Sequence, residues 1–241
     1  MRVLITGAAG YIGRRLAPYL APHHDLVLGD LHPQDRAGWV PLDVTRMEQV
    51  EAACRGVDAV VHLAIASGYE GEHEDDAFND LRFDVNVKGT YHVFEAAVRC
   101  GVKRVVYTSS LMVVWGYGAE PVAPDAEARP VGSYAITKHL GEIISRDYHQ
   151  RFGLSSVCLR IAKPIDPDDP AWRETPIRPQ WIAFPDLCQA YRRALEAPDL
   201  GCEVIHLVGE SSVRRWDLSK AERLLGYRPE YRMEEMGLRF E

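Results

Sequence analysis

A short apolar run, Val3–Thr6, leads without a break into Gly7-Ala8-Ala9-Gly10-Tyr11-Ile12-Gly13. That join limits the chain more than any other feature. Gly7 permits a tight turn, Gly10 lets a backbone approach a pyrophosphate, and Gly13 lets a following helix press against a strand. A helix beginning near Tyr11 and Ile12 offers unpaired N–H groups to phosphates. A second apolar run, Leu26–Gly29, ends at Asp30, with Leu31 after it. A carboxylate there accepts hydrogen bonds from ribose hydroxyls and repels a 2′-phosphate, which favours NAD over NADP, although Arg14 and Arg15 lie close by. Asp43, with Val44 after it, follows a third short run and has the position to reach an adenine amino group. The blander readings are a capped turn for Asp30 and a helix N-terminal carboxylate for Asp43.

Further apolar runs follow at Ala59–Leu63, Val105–Thr108, Ser156–Ile161 and Val204–Val208. They are rich in Val, Ile and Leu, and few alternate with polar residues, as strands buried on both faces require. Segments with helical spacing lie between them: Tyr11–Leu20, Met47–Cys54, Phe78–Cys100, Tyr134–Phe152 and Leu187–Glu196. Strand and helix in alternation predict an α/β class, a doubly wound parallel sheet of Rossmann type with helices on both faces. Only a very small C-terminal substrate lobe remains. The expected organisation is one NAD-binding domain over residues 1–241, with 163–185 and 209–241 forming a reduced substrate-binding lobe. The proline-rich stretch Pro164–Pro185 is expected to be a long irregular loop at the ligand crevice.

With a formal net charge of −7 and no lysine-rich block, the chain is a poor candidate for a nucleic-acid or anionic-membrane surface. No apolar run reaches the ~18 residues of a spanning helix. The five cysteines are scattered and never spaced C-x-x-C, which reads as reduced thiols with no metal site. The N-terminus shows no export signal, and a cytoplasmic location is the simple expectation.

Tyr134-Ala-Ile-Thr-Lys138 places a phenol and an ammonium one helical turn apart. A lysine so placed is expected to lower the tyrosine pKa from about 10, making it an acid/base near neutrality. Thr108-Ser109-Ser110 ends the preceding strand, where a hydroxyl can bond the same substrate oxygen. A surface tyrosine and lysine one turn apart is the ordinary reading of Y-x-x-x-K. The glycine turn and the Ser-Ser strand end, in that order, favour the catalytic one.

The set Gly7-x-x-Gly10-x-x-Gly13, Asp30, Asp43-Val44, His62-Leu63-Ala64, Asn86-Val87-x-Gly89-Thr90, Ser109-Ser110 and Tyr134-x-x-x-Lys138 resembles the short-chain dehydrogenase/reductase superfamily, in its extended, NAD-dependent epimerase/dehydratase branch. The resemblance implies Tyr134 as acid/base, Lys138 binding the nicotinamide ribose and Ser110 orienting the substrate oxygen. It places Leu63, Ala64 and Ala66 along the cofactor and has Asn86 steadying the long helix. His62 reads as a strand-end residue without chemistry. Within the branch the chain is most similar to uronate dehydrogenases, through Leu28–Pro33, His62–Ser67, Trp172-Arg173, Ala197–Cys202 and Trp216-Asp217 with Leu225–Pro229. That likeness implies Arg173 for a substrate carboxylate and Ser67 as a substrate contact. Met112 stands where those enzymes carry a histidine, and also belongs to the expected substrate set.

The implied activity is oxidation of a hydroxyl on a small sugar or sugar acid, with hydride passing to NAD. The rival readings are a sugar epimerase or dehydratase and a catalytically silent NAD-binding sensor or scaffold. The superfamily habit of pairing two long helices across a dimer axis, here Phe78–Cys100 and Tyr134–Phe152, implies a homodimer.

Overall fold

Val3, Leu4 and Ile5 are all fully buried although successive strand side chains point to opposite faces. Strand β1 (Arg2–Thr6) therefore lies in the middle of a sheet covered on both sides. The computed structural model describes residues 1–67, 74–174, 177–178, 180–198, 200–211 and 213–236; at 173, 174, 233 and 236 it describes the backbone alone. After β1 come α1 (Gly13–Leu20), β2 (Asp25–Asp30), β3 (Trp39–Pro41), α2 (Met47–Cys54) and β4 (Ala59–His62). Next are α3 (Asp76–Arg82), α4 (Gly89–Arg99), β5 (Arg104–Ser110), α5 (Ser133–Phe152) and β6 (Ser155–Ile161). The chain continues through β7 (Pro164–Ile165), α6 (Ala171–Glu174), β8 (Ile182–Ala183), α7 (Phe184–Glu196), β9 (Cys202–Leu207) and α8 (Ser219–Leu225).

The main sheet has the order β3-β2-β1-β4-β5-β6-β9, and every neighbouring pair is parallel. The order reverses direction between β1 and β4, where a doubly wound sheet opens a crevice at its carboxyl edge. Val3, Ile5, Val61 and Val106 join α1 and α7 in one core. Leu4, Val60, Val105 and Tyr107 join α2, α4 and α5 in the other. The expected doubly wound sheet is the one that forms.

Three local expectations change. The helical segment expected at Phe78–Cys100 is α3, a π-helical turn over Phe83–Lys88, and α4. The extra residue in that turn rotates α4 relative to α3 and buries Asn86. Pro164–Pro185 is not wholly irregular: β7 and β8 pair in parallel, α6 lies between them, and Ile165, Ile177 and Ala183 form a third small core. Pro185, expected to lie in the loop, sits in the first turn of α7, where a missing N–H costs nothing.

Candidate active site

The site is assembled from strand ends. Register sets Thr6 of β1 beside His62 of β4, and His62 beside Tyr107 of β5, all on the face covered by α4 and α5. Ser110 closes β5 opposite Ile161 of β6. Tyr134 and Lys138 lie in the first two turns of α5. Ser110 and Tyr134 line the same crevice, with the Ser110 hydroxyl near enough to the phenol to lower its pKa, so these two residues are brought together. Lys138 is buried, its Nζ lies 5.9 Å from the centre of the Tyr134 ring, and it donates to the Thr108 carbonyl at 2.7 Å.

The electrostatics depart from the expected pattern. Tyr134 titrates above its ordinary value, because burial raises it by more than the Ser110 hydroxyl and the Arg82 guanidinium lower it. The expected lowering by Lys138 is not found: the ammonium is turned to the Thr108 carbonyl. Burial brings Lys138 down to about 7, opposed by the Glu142 carboxylate one turn on. Glu142 is itself held at about 2 against burial by Arg160, which bonds it through two nitrogens at 2.8 Å, with Ser109 donating at 2.6 Å.

A directed hydrogen-bond chain anchors this cluster to the glycine turn. The Ala64 N–H donates to Thr6 Oγ1 (3.3 Å), whose hydroxyl bonds His62 Nδ1 (2.7 Å). His62 Nε2 meets Thr90 Oγ1 (3.0 Å), and Thr90 donates to the Asn86 carbonyl (2.5 Å). Because each hydroxyl has one proton, this order fixes the His62 proton on Nε2. Burial and the nearby Lys138 push His62 down to about 3, so the ring is neutral and its role structural. The Asn86 side chain accepts from the Ala66 N–H (2.8 Å) and donates to Thr137 Oγ1 (3.1 Å), which donates to the Tyr134 carbonyl (2.8 Å). Thr6, Thr90 and Thr137 carried no separate sequence signal, since a buried threonine matches any strand or helix pattern.

The glycine turn suits a dinucleotide. Gly7 has a φ of 71°, and a Cβ there would lie 2.8 Å from the Ala64 nitrogen. A Cβ on Gly13 would lie 2.5 Å from the Ala8 carbonyl oxygen. Helix α1 has no side-chain cap and no acidic residue in its first turn, so nothing of its own competes with an anion at that end. Tyr11 turns partly away: its hydroxyl donates to the Pro164 carbonyl (3.2 Å) and its ring meets Phe184. Ile12 faces the crevice. Asp30 ends β2 and accepts from the Ala9 and His32 N–H groups (2.9 and 3.0 Å), one on each oxygen. Each oxygen keeps a second lone pair for another donor. Leu31 is exposed beside it. Asp43 accepts from the Thr45 N–H and hydroxyl and lies 3.6 Å from Arg46, and Val44 is buried. Asp30 thus does bond its own turn, as its blander reading has it, while Asp43 bonds Thr45 ahead of α2 without capping that helix, and has the fewer positions left. Leu63 is buried, while Ala64 and Ala66 are half-buried.

Beyond Tyr134 a cavity of about 370 Å³ opens between the sheet edge and the C-terminal segments. Ser110, Met112, Trp115, Tyr134, Lys163, Arg178, Gln180 and Trp181 are among its lining residues. Met112 is brought to the site as expected. Ser67 is exposed past the end of β4. The side chain of Arg173 lies outside the described residues. Lys163, Trp115, Arg178, Gln180 and Trp181 were missed. Lys163, two residues past a strand end, was the one with a readable signal. No group of three or more His, Cys, Asp or Glu that could hold a metal occurs among the described residues.

Residues 3–183 match the NAD dependent epimerase/dehydratase family. The chain is 31% identical over 231 residues to a uronate dehydrogenase of Pseudomonas syringae pv. tomato, covering 92% of this chain and 80% of that protein. It is 32% identical over 252 residues to an L-arabinose 1-dehydrogenase (NAD(P)(+)) of Haloferax volcanii, covering 95% and 96%. Among solved structures it resembles a uronate dehydrogenase mutant from Agrobacterium tumefaciens complexed with NAD, with a TM-score of 0.80, 30% identity, and coverage of 97% and 86%. Sequence, sheet order and glycine turn agree: the chain belongs to the NAD dependent epimerase/dehydratase family.

Proposed function

We propose that the chain is an NAD-dependent dehydrogenase that oxidises a hydroxyl of a small sugar or sugar acid, in line with the names of its uronate and arabinose dehydrogenase relatives. The observation that carries this reading is the meeting of the Ser110 hydroxyl and the Tyr134 phenol in one crevice, with the Lys138 ammonium 5.9 Å from the phenol ring. When bound, NAD supplies the hydride acceptor and a positive ring. The turn Gly7, Gly10, Gly13 and the N–H groups of Tyr11 and Ile12 hold the pyrophosphate. Asp30 and Leu31 take the adenosine ribose, Asp43 and Val44 the adenine, and Leu63, Ala64 and Ala66 the length of the dinucleotide. Ser110 and Tyr134 bind the substrate hydroxyl, and Tyr134 accepts its proton. Lys138 is assigned to the nicotinamide ribose; positive below about pH 7, it stabilises the phenolate only by turning from the Thr108 carbonyl toward the phenol. Ser67, Met112 and Arg173 are assigned to the rest of the substrate. The unpaired cysteines suit a reducing cytoplasm. Exposed Tyr91 on α4 and Ile136, Ile143 and Phe152 on α5 support a homodimer through those helices.

The test is NADH formation over a panel of uronates, aldoses and sugar phosphates, with NAD binding measured in parallel. Tyr134→Phe should lower kcat by about 10²–10⁴-fold while NAD affinity holds. Retained turnover in that variant removes Tyr134 as the base. NAD binding without NADH formation by the parent chain removes the dehydrogenase reading.

A further inference from the structure

Lys163 lies two residues past the end of β6, at the carboxyl edge of the sheet, on the wall of the same crevice as Ser110 and Tyr134. A lysine in such a place ordinarily has a mobile end. Here Nζ lies 4.4 Å from the centre of the Trp181 ring and 4.9 Å from that of Trp172. The two indoles meet edge to face at 5.6 Å and pack on the small core of Ile165, Ile177 and Ala183. The Lys163 carbonyl accepts from the Ile182 N–H at 3.1 Å, which fixes the backbone beneath it. Two π faces and a pinned backbone thus hold the ammonium in one region. Arg178 lines the crevice as well, 5.7 Å from the Trp115 ring centre.

Among the described residues lining this crevice there is no Asp and no Glu. The chain as a whole carries a net charge of −7, so the crevice has the opposite sign to its surroundings. Apolar walls such as Ile12, Leu111 and Ile161 strengthen that local field. We propose that Lys163 is an anion-recognising residue and that the substrate is a sugar carrying a carboxylate or a phosphate. This rests on the crevice being the substrate site of the dehydrogenase. An ammonium is a point charge with rotatable donors, so it accepts either anion and leaves the choice to the rest of the pocket.

The test does not need turnover. Tryptophan fluorescence of the intact chain with NAD present, read from the indoles that flank Lys163, is titrated with D-gluconate, D-glucitol 6-phosphate and neutral D-glucitol. At least one anion should bind about tenfold more tightly than glucitol. Lys163→Met should weaken that anion about tenfold and leave glucitol unchanged, and Lys163→Arg should restore it. A response to gluconate alone assigns a carboxylate, and one to the phosphate alone assigns a phosphate; both support the proposal. Equal affinity for all three ligands, or equal anion affinity in the parent chain and Lys163→Met, overturns it. Lys163-dependent anion binding without NADH formation from any uronate or sugar phosphate would end the dehydrogenase reading and leave the anion site standing.

Discussion

A phenol whose pKa is raised and a lysine whose pKa is lowered to about 7 sit side by side, and burial is the first cause of both. The site is therefore a place in which each charge is costly. It gains from any hydrogen bond that holds its geometry. The chain Thr6–His62–Thr90–Asn86 supplies such bonds on the β4 side, and Asn86–Thr137 carries them to the Tyr134 backbone. Thr90→Val keeps the shape and deletes the hydroxyl, stranding the buried His62 N–H. It should cost about 1–3 kcal/mol in urea denaturation and lower kcat, with NAD affinity held. A variant as stable and as fast as the parent would show that the chain does not position Tyr134.

At the scale of elements, the sequence marks which helices approach one another. Gly141 lies one turn beyond Lys138 on α5, and a Cβ there would run into the buried Tyr107 ring. Tyr107 cannot swing away, being packed against His62 and the Lys138 carbonyl. Gly141→Ala should push α5 off the sheet, at about 1–3 kcal/mol for overpacking, and carry Lys138 with it. A melting curve and kcat measured together check this, and a melting temperature and kcat both unchanged would contradict it. The π-helical turn escaped prediction for a related reason. Apolar spacing over Phe78–Cys100 is compatible with an unbroken α-helix, and the turn is selected by Asn86, whose side chain links the Ala66 N–H to Thr137.

Across the whole molecule, acid stability follows from groups buried in one protonation state. His62 is held at about 3 and His206 at about 4, against 6.5 for an exposed histidine. Their contribution is complete above pH 6.5 and is lost as the pH falls toward those values. Glu142, held at about 2 against 4.5, adds a further loss below pH 4.5. Burial comes first for both histidines, and for His206 the Arg160 guanidinium, donating to Nε2 at 3.2 Å, adds to it. The urea midpoint should therefore fall steadily between pH 6.5 and 4. A His62→Gln, His206→Gln double variant should flatten that limb, and an unchanged slope would refute the assignment. Breaking the Glu142–Arg160 pair with Arg160→Met should cost about 3–5 kcal/mol at neutral pH, because a buried carboxylate is left without its cation.

The sequence by itself determined the sheet, the glycine turn and the order of the strand-end residues. Unbroken runs of Val, Ile and Leu can be satisfied only by burial on both faces, and Gly7 and Gly13 tolerate no Cβ. It also set Tyr134 and Lys138 on one turn of a helix. The tertiary structure decided where their charges go. Whether Lys138 faces the phenol or the Thr108 carbonyl depends on a group distant in sequence that local spacing does not specify. The crevice wall is of the same kind: Lys163 meets Trp181 because β7 and β8 pair, and pairing between two-residue strands leaves almost no pattern in the chain.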